Sequence, residues 1–188
     1  GVTTIGGASP GDIANGTDLT WGVRAAGQSG LKVFDCTIRN ITGGGAGTVD
    51  GLWLDNSGAL TTNLGDSDLH GNRIHGLDNS AAGAGAVSGV RLNLTANAAT
   101  GAHLYNNFVY DLNSAGTATA TRALAGLRLQ DGGGGAGATF NVDFNSVRLA
   151  PTGLSGSNAC LEIGTASGPL LRVRNNILAN ASADQFGA

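Results

Sequence analysis

Methionine is absent from this chain, lysine occurs once (Lys32), and its 188 residues include only two cysteines and three prolines. Two cysteines, Cys36 and Cys160, are too few for a disulfide framework and do not fix the redox compartment. Charge is also sparse, at 12% of residues with a formal net charge of −3. Without a basic surplus there is no footprint for phosphate backbones, so no nucleic-acid partner is expected. No apolar run has the length of a membrane span. Nothing at the start reads as a signal peptide, which leads us to expect a mature chain or a segment excised from a longer one. The glycine-rich loops lack the Lys-Ser/Thr of a phosphate cradle. Long helices are excluded as well, because Gly, Thr and Asn interrupt every candidate window.

What is abundant is glycine, with 33 residues. It follows no three-residue period, which excludes collagen, and a 41% hydrophobic fraction argues against disorder. Through this background runs a repeat at intervals of 31 to 38 residues. Its copies are LKVFDCTIRNI from Leu31, SDLHGNRIHGL from Ser67, AHLYNNFVYDL from Ala102, FNVDFNSVRLA from Phe140 and LRVRNNILANA from Leu171. Aligned, they place Asn72, Asn107, Asn145 and Asn176 in one column, with Cys36 in the first copy. Three residues earlier stand Val33, Leu69, Leu104, Val142 and Val173; two residues later stand Ile38, Ile74, Val109, Val147 and Leu178. Both columns are predicted to be buried. Upstream of each copy lies a four-residue strand: GVRA from Gly22, GLWL from Gly51, GVRL from Gly89, GLRL from Gly126 and CLEI from Cys160.

A repeat of this size cannot bury its apolar face alone, whereas stacked copies form one continuous core. The reading is therefore a single all-β domain over 1–188, a right-handed parallel β-helix of about five coils. Residues 1–21 form an N-terminal loop or edge segment, 22–182 the coils and 183–188 a tail. The rival is a β-sandwich, which would need regular hairpin pairs that the sequence does not display. The stretches NVDFNSVRLAPTG (Asn141 to Gly153) and LLRVRNNILANAS (Leu170 to Ser182) resemble coils of secreted bacterial parallel β-helix repeat proteins of the pectin-lyase-like group. That resemblance covers the chain from Gly22 to Ser182. It implies the fold and an extracellular or cell-surface setting, but no particular activity, since the group holds lyases, hydrolases and adhesins.

The Asn column reads as structural. Asn tolerates left-handed backbone at a bend, and its amide can bond both the local backbone and the Asn stacked above. Asp66, Asp68 and His70 would share one outward face, the arrangement a metal or acid/base site needs, yet a solvated outer face is the simpler reading. No metal or cofactor is assigned. Of the polygalacturonase motifs, NTD, DD and GHG are missing, and RIHG at Arg73 to Gly76 is a fragment of the fourth. Catalytic residues are therefore assigned to none. The first strand of each coil would carry an outward stripe of Arg24, Trp53, Arg91, Arg128 and Glu162, in which arginines stack on the indole. Arg24, Trp53, Arg91 and Arg128 are the binding candidates, for acidic sugars or a neighbouring subunit. A parallel column, Arg39, His75, Tyr110 and Arg148, invites the same two readings. The expected function is a non-enzymatic extracellular structural or adhesive module that stacks end to end. Its partners would be copies of itself, further coils of the same chain, or surface glycans. The alternative is a carbohydrate-active enzyme or carbohydrate-binding module acting on acidic polysaccharide.

Overall fold

A computed structural model describes residues 3–6, 13–15, 19–28, 30–55, 67–79, 85–94, 101–115, 123–131, 139–151, 157–164 and 170–181. Their strands fall into three parallel sheets that the chain visits in rotation, forming a β-solenoid. One sheet holds β3 (Thr20–Ala26), β6 (Val49–Asp55), β9 (Val87–Leu94), β12 (Leu124–Asp131) and β15 (Asn158–Gly164). The next holds β4 (Lys32–Phe34), β7 (Ser67–His70), β10 (Ala102–Tyr105), β13 (Thr139–Asp143) and β16 (Leu170–Arg174). The third runs β5 (Cys36–Gly43), β8 (Arg73–Asn79), β11 (Phe108–Ser114), β14 (Ser146–Leu149) and β17 (Ile177–Asn180). Two short strands, β1 (Thr3–Ile5) and β2 (Ile13–Asn15), both pair with β5. Part of the expected N-terminal loop thus extends one sheet beyond the other two.

The cross-strand register is the one the repeat dictates. Val33, Leu69, Leu104, Val142 and Val173 pair in succession, as do Ile38, Ile74, Val109, Val147 and Leu178. The inner members of both columns are buried in one core cluster. Three of the four end members depart from the expectation: Val33 is half-buried, Val173 is 40% exposed and Leu178 is exposed, whereas Ile38, paired with Ile5 of β1, is buried. A solenoid core residue is covered from above and below, and those three lie in coils with a neighbour on one side only. The glycines at the third position of the β6-sheet strands have a packing reason. A Cβ on Gly51 would come within 2.5 Å of Ile74 Cγ2, and one on Gly89 within 2.4 Å of Val109 Cγ1. Losing the side chain lets this sheet approach the facing β8 and β11 residues.

The bends between the β7 and β5 sheets refine the expectation for the Asn column. The left-handed residues are those just before it: Asp35, Gly71, Asn106, Phe144 and Asn175, with φ between 51° and 65°. The column residues themselves turn inward and bond along the axis. A second left-handed set, Asn40, Gly76 and Asp111, interrupts β5, β8 and β11. Each advances the alternation by one residue, so Ile41, Leu77 and Leu112 enter the core three residues after Ile38, Ile74 and Val109. In β14 no such residue intervenes, and Leu149 is buried two residues after Val147 while Ala150 is exposed.

Candidate functional site

Three outward surfaces and one polar column carry the chemistry-bearing side chains. In the column, the Asn72 N–H donates to Asn107 Oδ1 at 3.2 Å, Asn107 N–H to Asn145 Oδ1 at 3.1 Å, and Asn145 N–H to Asn176 Oδ1 at 2.8 Å. Each Nδ2 donates downward to the backbone carbonyl three residues before the preceding column position: Val33, Leu69, Leu104 and Val142. Cys36 N–H donates to Asn72 Oδ1 at 3.1 Å and begins the series. These bonds satisfy bend groups that the sheets leave out, so the four asparagines hold the fold together.

The stripe predicted on the β6 sheet is in register: Arg24 pairs with Trp53, Trp53 with Arg91, Arg91 with Arg128 and Arg128 with Glu162. Trp53 lies between two guanidinium groups, Arg24 at 4.3 Å and Arg91 at 4.7 Å from the ring centroid, with Trp21 edge-on at 5.9 Å. The stripe is exposed at Arg24 and half-buried at Arg91, but closed at Trp53 and Arg128. Trp53 is 5% exposed and Arg128 2%. Carboxylates engage the guanidinium groups: Arg24 with Asp55 at 2.7 Å, Arg91 with Asp50 at 3.5 Å and Arg128 with Glu162 at 2.7 Å. Cations stacked on an indole and matched by carboxylates neutralise one another, leaving little field for an acidic ligand. Burial pushes the Asp50 carboxyl above its ordinary value, and the Arg91 charge pulls it partly back.

On the β7 sheet, Asp68 and His70 share the outward face as predicted, while Asp66 lies outside the described residues. Asp68 sits between Lys32 at 3.8 Å and His103 at 3.9 Å. His70 is stacked between Phe34 and Tyr105, with ring centroids 5.3 and 4.6 Å away. Among the described residues no group of three or more His, Cys, Asp or Glu side chains is placed to hold a metal ion. The two named residues belong to two different rows of cross-strand contacts.

The outer face of the β5 sheet carries the expected column and, beside it, a groove that the repeat did not announce. Arg39, His75, Tyr110 and Arg148 line up in neighbouring strands, with His75 stacked on Tyr110 at 4.7 Å and an interplanar angle of 11°. Rings stacked along the axis show solvent their edges. Burial lowers the His75 pKa, partly offset by the nearby Asp111 carboxylate. Beside this row the left-handed residues Asn40, Gly76 and Asp111 open a groove of about 360 Å3, closed at one end by Ala150 and Pro151. Its polar lining is Asn40, Thr42, Asp78, Asp111 and Asn113. Asn113 Nδ2 donates to Asp78 Oδ1 at 2.7 Å, while the buried Asn113 Oδ1 has no hydrogen-bond partner. The signal in the sequence was the recurrence of Asn, Gly and Asp, all tolerant of left-handed backbone, just before the last apolar position of three copies.

Both cysteines are free. No helix among the described residues is long and apolar enough to cross a membrane. Comparison with protein-family models, curated proteins and solved structures gives no match for this chain.

Proposed function

We propose that this chain is a non-enzymatic structural or adhesive module acting outside the cell, extended at its β15–β17 edge by a second copy of the chain. One observation carries the reading. Val173 and Leu178, the last members of the two core columns, are 40% and 42% exposed, whereas Val142 and Val147, their partners one coil earlier, are buried. The columns that fill the core therefore reach the rim with their apolar side chains uncovered by any described residue. Among the described residues β15, β16 and β17 each end their sheet, and an open strand edge is a template for further β-structure. The resemblance to secreted β-helix proteins supports the extracellular setting. The acidic-polysaccharide alternative loses weight, since each arginine of the stripe is matched by a carboxylate.

The test is the size of the native particle across a range of concentrations, by sedimentation velocity and electron microscopy. Wild type should assemble with rising concentration, and Leu178→Asp combined with Val173→Asp should hold it monomeric with the fold intact by circular dichroism. A wild-type chain monomeric throughout the range overturns the proposal.

A further inference from the structure

We infer that the edge of the solenoid between the β7 and β5 sheets docks on an anionic lipid surface, with its large apolar side chains entering the headgroup layer. Phe108, Phe144 and Ile177 on this edge are 42%, 58% and 67% exposed. They belong to three successive coils: Phe108 and Ile177 each pair with Ser146 of β14, and Phe144 precedes that serine by two residues. Coils recur at roughly 4.8 Å, so the three side chains share about 10 Å of the edge. An apolar cluster outside the core, rimmed by polar groups, marks an interaction surface. Phe144 gives a second, independent sign. It holds φ +57°, where a bulky side chain is sterically disfavoured and where other coils place Asp, Gly or Asn. Its ring gains no burial in return, so a contact made outside the chain explains why the strain is kept.

Shape and charge select the partner. Both sheets face one core, so the edge is an outside corner, whose side chains project into a fluid layer more readily than they seat a peptide. Cations flank it on both faces. Arg172 stands on the β7-sheet face, and Arg73 and Arg148 on the β5-sheet face. All three are exposed, and among the described residues none forms an ion pair with a carboxylate. The nearby carboxylates are matched or set apart: Arg174 holds Asp143, Lys32 and His103 flank Asp68, Asp35 lies in the first coil, and Asp111 is beyond Tyr110. A basic side chain close to an anionic membrane strengthens binding roughly fivefold. Arginine stems are long enough to keep the charge among the headgroups while the apolar tips sink below it. Tyr110, its ring 4.6 Å from that of Phe108, adds a residue type that lines membrane interfaces. Docking uses a side of the solenoid and the assembly of copies uses its end, so the two can be measured independently.

The experiment is cosedimentation with vesicles of equimolar phosphatidylcholine and phosphatidylglycerol, with pure phosphatidylcholine vesicles and soluble polyglutamate as counterparts. Wild type should bind the anionic vesicles, more weakly as salt rises, and pure phosphatidylcholine roughly tenfold less. Phe144→Asn, a residue that two other coils already carry at this bend, should weaken binding about tenfold with the fold intact. Phe108→Thr should act in the same direction, and Arg73→Gln combined with Arg148→Gln should remove the preference for anionic lipid. In Phe144→Trp the added indole should shift its emission to shorter wavelength on the vesicles. No binding to anionic vesicles, binding unchanged by the Asn and Thr substitutions, or binding of polyglutamate alone overturns the inference.

Discussion

Asn107 gives two hydrogen bonds to a single atom of Asn145: its N–H donates to Oδ1 at 3.1 Å and its Nδ2 donates to the same oxygen at 2.9 Å. One carboxamide oxygen thus fixes both the backbone and the side chain of the coil before it. Asn107 receives the same pair of bonds from Asn72. Because the unit repeats, removing a middle member breaks bonds on both sides. Asn107→Ala strands the Asn72 N–H and the Leu69 carbonyl in a buried setting, and we expect a loss of roughly 3 kcal/mol or more. Asn176→Ala, at the rim where water can replace the lost bonds, should cost about 1 kcal/mol. Equilibrium denaturation of the two variants checks the difference.

Position along the solenoid should likewise grade the apolar columns. Leu104 is fully buried between Leu69 and Val142, and Leu104→Ala should cost about 2–5 kcal/mol through the cavity it leaves. Val173→Ala, in the same column but 40% exposed, should cost under about 1 kcal/mol in the monomer. Equal losses would mean that the rim is covered in solution.

Phe144 stands at a left-handed bend position that other coils fill with Asp, Gly or Asn, and its side chain is exposed. A bulky residue there carries a steric cost with no burial to offset it. Phe144→Asn should raise stability by about 1 kcal/mol, read as a higher denaturation midpoint at unchanged slope.

Acid should loosen the last coil first. Arg174 donates two hydrogen bonds to Asp143, at 2.9 and 2.8 Å, and these bonds hold the Asp143 carboxyl below its ordinary value of 3.8. A carboxyl depressed in the folded state adds stability above its unfolded value and loses it as pH falls through the folded one. Between pH 5 and pH 2, denaturation midpoints of wild type should therefore fall more steeply than those of Asp143→Asn. Parallel curves would show that the pair contributes nothing to the pH dependence.

The repeat alone determined the stacking direction, the cross-strand register and the asparagine column, because one amide per bend and two apolar residues at fixed offsets suit only coils laid in parallel. Residue type also marked the left-handed positions: Asn40, Gly76 and Asp111 bulge as their chemistry allows. Asn180 has that chemistry too, yet it lies in β17, paired with Leu149 of β14, because the neighbouring strand sets its backbone. Burial was decided only by the tertiary structure. Alternation places Trp53 and Arg128 outward, but the sequence says nothing of the pairs with Asp55, Asp50 and Glu162 that match the charges of the stripe. Nor could it show that Asp78 and Asn113, which the register sets side by side, would line a groove. Periodicity along one strand fixes which way a side chain points, and what it meets there depends on strands one coil away.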